Sequence, residues 1–123
     1  MTKNALIVGA GSGISASFAR LLANDGYRVA LASRDPAKLV RLAAETDGTT
    51  HACDAADPAS VDRMFADIDR QFSKLDICLF NASARAPGSI EDVDREQARS
   101  ALLISSYGGF LVAQAAAKRM LPH

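Results

Sequence analysis

Leu6-Ile7-Val8-Gly9-Ala10-Gly11-Ser12-Gly13-Ile14-Ser15 runs from an unbroken apolar segment into three glycines at alternate positions. Beyond it, Ile14, Phe18, Leu21 and Leu22 recur at helical spacing, with Arg20, Asn24 and Asp25 off that stripe. The order is strand, tight turn, helix. A strand apolar on both faces suits the middle of a parallel sheet covered by helices. Glycine lets a backbone turn sharply and approach a ligand closely. The N-terminus of the next helix offers unpaired N–H groups and a positive dipole end to a phosphate. A dinucleotide pyrophosphate fits this combination, with Gly9, Gly11, Ser12, Gly13 and Ile14 as its cradle. The competing reading is a plain glycine loop, and the strand before and helix after argue against it.

The same alternation continues along the chain. A first strand over Ala5–Val8 and a first helix over Ile14–Asp25 end at Gly26, where a C-cap glycine belongs. A second strand covers Val29–Ala32. Asp35-Pro36 then opens a helix, because Asp caps and Pro fits the first helical position. Leu39, Leu42 and Ala43 form its apolar stripe. A short third strand lies near Thr50–Cys53, and Asp57-Pro58 repeats the helix-start signal. Val61, Phe65, Ile68 and Phe72 mark that third helix's buried face, and Ile77–Phe80 is the fourth strand. A loop of small residues over Ala84–Ser89 precedes a long helix from Asp94 to Met120. This predicts one α/β domain over residues 1–123, a Rossmann-like doubly wound parallel sheet in strand order 3-2-1-4 with a long final helix. The chain stops at Leu121-Pro122-His123, where a fifth strand is expected, so the fold is read as truncated at its C-terminus.

Composition sets bounds. At 49% apolar residues, 123 residues suffice for one globular core. Fourteen basic and fourteen acidic residues cancel, leaving no charge excess to attract nucleic acid or an anionic membrane. The apolar runs are shorter than a membrane span, and a strand begins directly after Met1-Thr2-Lys3, so a cytoplasmic setting is expected. Cys53 and Cys78 form no Cys-x-x-Cys, and His51 beside Cys53 makes no metal set, so both are read as thiols without a role.

Arg34 stands roughly 20 residues beyond the glycine turn, at the end of the second strand. An acidic residue there binds a ribose 2′-hydroxyl and favours NAD, whereas a nearby Arg accommodates a 2′-phosphate and favours NADP. Asp35 is assigned to capping. Ser33-Arg34 therefore reads as an NADP pocket, with Ser33 donating to the phosphate; the alternative is a solvated surface Arg.

The glycine spacing is not Gly-x-Gly-x-x-Gly, because Ile14 stands three residues after Gly11. Gly9-x-x-x-Gly13-x-Ser15 instead resembles the Gly-x-x-x-Gly-x-Gly of the short-chain dehydrogenase/reductase family. Val8 stands where that family usually has Thr, and Ser15 where it has the third Gly; returning Ser15 to glycine is expected to be tolerated. Asp54 in Cys53-Asp54-Ala55 resembles the family's aspartate whose side chain bonds the adenine amino group, with the Ala55 N–H nearby; a loop-capping Asp is the alternative. Leu79-Phe80-Asn81-Ala82-Ser83 resembles the segment ending Asn-Asn-Ala-Gly, matching at Asn81 and Ala82 and departing at Phe80 and Ser83. Asn81 is expected to tie neighbouring backbone together and face the cofactor ribose. Gly109-Phe110-Leu111-Val112-Ala113-Gln114 resembles the helix after the family's proton-relay Asn, whose place Ser105 takes; Ser105 is not read as catalytic.

The resemblance covers the chain but only the family's first half. It implies the cofactor half of an NADP-dependent oxidoreductase passing hydride between nicotinamide and a small-molecule carbonyl or alcohol, with NAD the less favoured cofactor. The family's catalytic Ser and Tyr-x-x-x-Lys are absent, since Tyr27 and Tyr107 are followed four residues on by Leu31 and Leu111. The rival readings are a non-catalytic NADP-binding module and an inactive truncated fragment. Gly108-Gly109 allow close approach of another helix, and so a homo-oligomer through the 94–120 helix; the alternative is that they fit beneath the sheet.

Overall fold

The strand Asn4–Val8 (β1) is buried along its whole length and pairs in parallel on both sides. One neighbour is Arg28–Ser33 (β2), beyond which lies Thr49–Ala52 (β3); the other is Ile77–Phe80 (β4). The order β3-β2-β1-β4 is the expected one. The computed structural model describes residues 2–123. Side chains alternate across the sheet, so Ala5 and Ile7 join one core and Leu6 and Val8 the other. Ile14–Asn24 (α1) and Val40–Thr46 (α2), which follows a 3₁₀ turn at Pro36–Leu39, cover the first face. Pro58–Gln71 (α3) covers the second, together with a helical run made of Arg95–Leu102 (α4), a π turn at Leu103–Tyr107 and Gly108–Met120 (α5). Helices on both faces make the sheet doubly wound.

Local signals set the helix ends. The Asp35, Asp57 and Asp94 carboxylates accept from the Ala37, Ala59 and Gln97 N–H groups at 3.2, 3.1 and 2.8 Å. Gly26, at φ 89°, closes α1 by a Schellman arrangement in which Gly26 N–H donates to Ala23 and Tyr27 N–H to Leu22.

Three packing expectations change. Of the expected stripe, Leu22 is buried and Phe18 half-buried against the same core, but Ile14 and Leu21 are 76% and 57% exposed, and Ser15, Ala16 and Ala19 face the sheet instead. The glycine turn brings the start of α1 so close to the strands that only small residues fit beneath it. Phe72 belongs to the core but lies one residue beyond α3, in extended backbone. Gly108 and Gly109 meet no second helix: a Cβ on Gly108 would lie 2.9 Å from the Ala55 carbonyl oxygen, and one on Gly109 3.4 Å from the Phe80 ring.

The run Arg95–Met120 is long and apolar enough by length and composition to cross a membrane, which the sequence reading did not expect. Here Ile104, Gly108, Val112 and Ala116 bury one side of it against the sheet layer. The Arg119 guanidinium bonds both Asp69 carboxylate oxygens on α3, at 2.7 and 2.9 Å, and lies 4.7 Å over the Phe65 ring.

Phe65 is therefore packed between sheet, α5 and this ion pair, with 1% of its surface exposed. Phe65→Ala is expected to cost about 3–5 kcal/mol of stability, the usual range for emptying such a site. Denaturant unfolding followed by circular dichroism measures this, and a loss below about 1 kcal/mol would contradict the packing.

Candidate cofactor site

The carboxyl ends of β1, β2 and β4 converge on the glycine turn. Gly9 N–H and Ala10 N–H both donate to the Ala32 carbonyl, at 2.9 and 3.0 Å, while Asn81 N–H donates to Val8 at 2.8 Å. Gly9 has φ 85°, and a Cβ there would lie 2.5 Å from Ala82 Cα and 2.6 Å from the Asn81 carbonyl carbon. No side chain can occupy that space. Gly13 also has φ 85°, but the space around it is open, as it is around Gly11. Gly13 is the N-cap of α1 without a side-chain cap bond, and α1 has no acidic residue in its first turn. The first N–H groups of α1 therefore have no side-chain cap, and the helix's own first turn carries no acidic residue. An open glycine cradle at an uncapped helix start fits a dinucleotide phosphate.

Below the turn lies a cleft of about 240 Å³. The expected residues Gly9, Ser33, Arg34 and Asp54 line it, and so do Ala55, Asn81 and Ala82. Gly11 and Ser12 line a neighbouring opening that shares Ala10, Ser33 and Arg34 with the cleft. Gly13 and Ile14 do not join these two. They border an apolar groove with Ser17, Phe18 and Leu21, because Ile14 points away from the sheet.

Individual roles are refined by the partners. The Ser33 hydroxyl donates to the Asp35 carbonyl at 3.0 Å, so its proton is engaged within the turn rather than free for a phosphate. Asp54 Oδ1 accepts from Ala56 N–H at 3.1 Å, the loop-capping arrangement, and only the second oxygen is left for a ligand. Asn81 Nδ2 donates to Ser15 Oγ at 2.8 Å. Ser105 Oγ accepts from Ala84 N–H at 3.3 Å and so fastens the loop after β4.

Two residues went unnoticed in the sequence. Lys38 lies with Arg34 on the opening beside Gly11 and Ser12, adding a second cation; the Asp35 carboxylate is there too, with one oxygen held by Ala37 N–H. Its signal was a basic residue in the first turn of a helical run, where the dipole favours acids. Ile104, from the π turn, closes the cleft floor beside Cys53. Burial pushes the Cys53 thiol up to about 11, and the Cys78 thiol likewise. Both are neutral thiols at physiological pH and poor nucleophiles. Among the described residues no cluster of His, Cys, Asp and Glu could hold a metal ion.

A family model described as enoyl-(acyl carrier protein) reductase matches residues 9–123. The chain belongs to the short-chain dehydrogenase/reductase family. It is 35% identical to the D-threitol dehydrogenase of Mycolicibacterium smegmatis, over 97% of this chain and 48% of that protein. It is 30% identical to the 2,3-dihydro-2,3-dihydroxybenzoate dehydrogenase of Bacillus subtilis, again over 97% and 48%. The crystal structure of a short-chain type dehydrogenase/reductase from Mycobacterium marinum matches with a TM-score of 0.92 at 30% identity, covering 98% of this chain and 51% of that one. An actinorhodin polyketide ketoreductase crystallised with NADPH has the same fold, with a TM-score of 0.90 at 23% identity over 96% of this chain and 47% of that one. The chain thus spans about half the length of the curated relatives it matches. The family binds nicotinamide cofactors, as the resemblance in the glycine turn implied.

The three glycines should respond differently. Gly9→Ala is expected to destabilise the fold, Gly11→Ala to leave it unchanged, and Gly13→Val, at φ 85° and ψ −132°, to carry a backbone strain of about 1–3 kcal/mol and lose dinucleotide binding. Thermal melting together with titration of reduced cofactor fluorescence separates the three. Normal binding by folded Gly13→Val would remove the pyrophosphate from this turn.

Proposed function

We propose that this chain is the NADP-binding half of a short-chain oxidoreductase that transfers hydride between nicotinamide and a small-molecule carbonyl or alcohol. The observation that carries the cofactor choice is the pair of cations, Arg34 and Lys38, on the opening beside Gly11 and Ser12, against the single partly engaged carboxylate of Asp35. A ribose 2′-phosphate beside Arg34 would meet net positive charge, whereas a 2′-hydroxyl would find no free pair of carboxylate oxygens.

When bound, the nicotinamide supplies or accepts the hydride. The chain's own residues hold and orient. The uncapped start of α1 would receive the pyrophosphate, Asp54 and Ala55 would flank the adenine end, and Asn81 and Ala82 would form the wall at the end of β4. None of the 123 residues forms a Tyr-x-x-x-Lys, so the proton-handling step is assigned to the part of the family's length that this chain does not span. A cytoplasmic setting belongs to the same reading, and the free thiols of Cys53 and Cys78 suit a reducing compartment. So does self-association through the 95–120 run. Its exposed Leu102, Tyr107 and Phe110 now support that idea, in place of the glycines.

NADPH is expected to bind more tightly than NADH. Arg34→Asp should weaken that preference by about 1–3 kcal/mol, the scale of a charge-assisted hydrogen bond. Fluorescence titration of both cofactors checks it, and equal dissociation constants in the unaltered chain would refute the choice. Sedimentation velocity of the 123-residue chain should show a dimer or larger species, and a monomer at all concentrations would remove the helix interface.

A further inference from the structure

Ser15 stands where the family resemblance calls for a glycine, and it is nearly sealed from solvent, at 1% exposure. Its hydroxyl both donates and accepts. The O–H donates to the Gly9 carbonyl at 3.3 Å, and Oγ accepts from Asn81 Nδ2 at 2.8 Å. One side chain in the first turn of α1 thereby joins the glycine turn to the end of β4, 66 residues away. The sheet does not need this bond, since the Asn81 main chain already donates to Val8.

The consequence falls on one peptide unit. Gly9 C=O and Ala10 N–H belong to a single plane. Its N–H end is held by the Ala32 carbonyl at 3.0 Å, and its C=O end by Ser15. With both ends bonded, rotating the plane has to break a hydrogen bond, which biases the direction in which Gly11, Ser12 and Gly13 leave it. A glycine at position 15 would free the carbonyl end and leave the Asn81 amide without this acceptor.

We propose that Ser15 and Asn81 form a clasp that holds the glycine turn ready for the dinucleotide pyrophosphate. Ser15 is a positioning residue: it acts through the Gly9 carbonyl and the Asn81 amide rather than by touching the ligand. This rests on the cofactor reading above. Its physical basis is preorganisation, because a turn already ordered costs nothing further to order on binding. It also reverses the sequence expectation that Ser15→Gly is neutral for binding.

The test compares two probes on the full chain: NADPH, which needs the glycine turn, and adenosine 2′-monophosphate, which needs the adenine end at Asp54 and Ala55 and the opening beside Arg34 and Lys38 but no pyrophosphate cradle. Ser15→Ala and Ser15→Gly should each raise the NADPH dissociation constant about tenfold and leave that of adenosine 2′-monophosphate unchanged. Ser15→Ala combined with Asn81→Ala should cost less than the product of the two separate losses, since the bond between the two side chains is broken by either change alone. Unchanged NADPH affinity in both Ser15 variants overturns the proposal. So do multiplying losses in the double variant, or parallel loss of both probes, which marks a general disturbance of the fold. If Ser15→Ala does not fold, Ser15→Gly, the smaller residue, replaces it in the cycle. Failure of the unaltered chain to bind NADPH overturns the cofactor reading itself, an outcome distinct from equal binding with and without the hydroxyl.

Discussion

A side chain started at Gly9 would run into the Ala82 main chain, with its Cβ 2.5 Å from Ala82 Cα. The ends of β1 and β4 can lie this close only because residue 9 is bare and takes a positive φ. The same conformation turns both Gly9 N–H and Ala10 N–H onto the Ala32 carbonyl of β2. Three strand ends are thus gathered at one point. The chain leaves β1 for β2 on one side and reaches β4 on the other, which opens the crevice where α/β sheets bind ligands.

Close approach at that point sets the sizes of the residues around it. Under α1 it admits Ser15, Ala16 and Ala19 and turns Ile14 and Leu21 outward. Across the sheet it is matched by a second tight contact, Gly108 against Ala55, which lets the long helix lie directly on the loop after β3. The cleft between these contacts is therefore walled largely by backbone and short side chains. Such walls suit a flat, phosphate-bearing ligand better than a bulky apolar one. The charged groups stand at the rim, where Arg34 and Lys38 are exposed.

Much of this was readable in the sequence, wherever the cause is local. Alternating apolar runs and helix-start signals give the strand order, because short crossovers in a parallel sheet leave few topologies. Asp35-Pro36 and Asp57-Pro58 cap helices through bonds that reach two residues, so a window of four residues suffices to see them. The glycine turn was legible for the same reason, and its neighbours Arg34, Asp54 and Asn81 follow strand ends that the topology brings together.

The rest depends on distances between elements that are far apart in the chain. Periodicity marks a stripe on α1 but not how near the sheet it comes. Leu22 and Phe18 of that stripe meet the core, while Ser15, Ala16 and Ala19 take the places expected for Ile14 and Leu21. The use of Ser15 is set by Asn81, which only the pairing of β1 with β4 delivers. Lys38 reaches the cofactor opening because the 3₁₀ turn after Asp35 folds back beside the glycines. Sequence alone determined that this is a parallel α/β sheet built around a glycine turn, since strand, turn and helix propensities act between near neighbours. The tertiary structure decided which hydroxyl, amide and ammonium meet there, because those meetings depend on how closely layers pack, and that is settled by contacts across the whole chain.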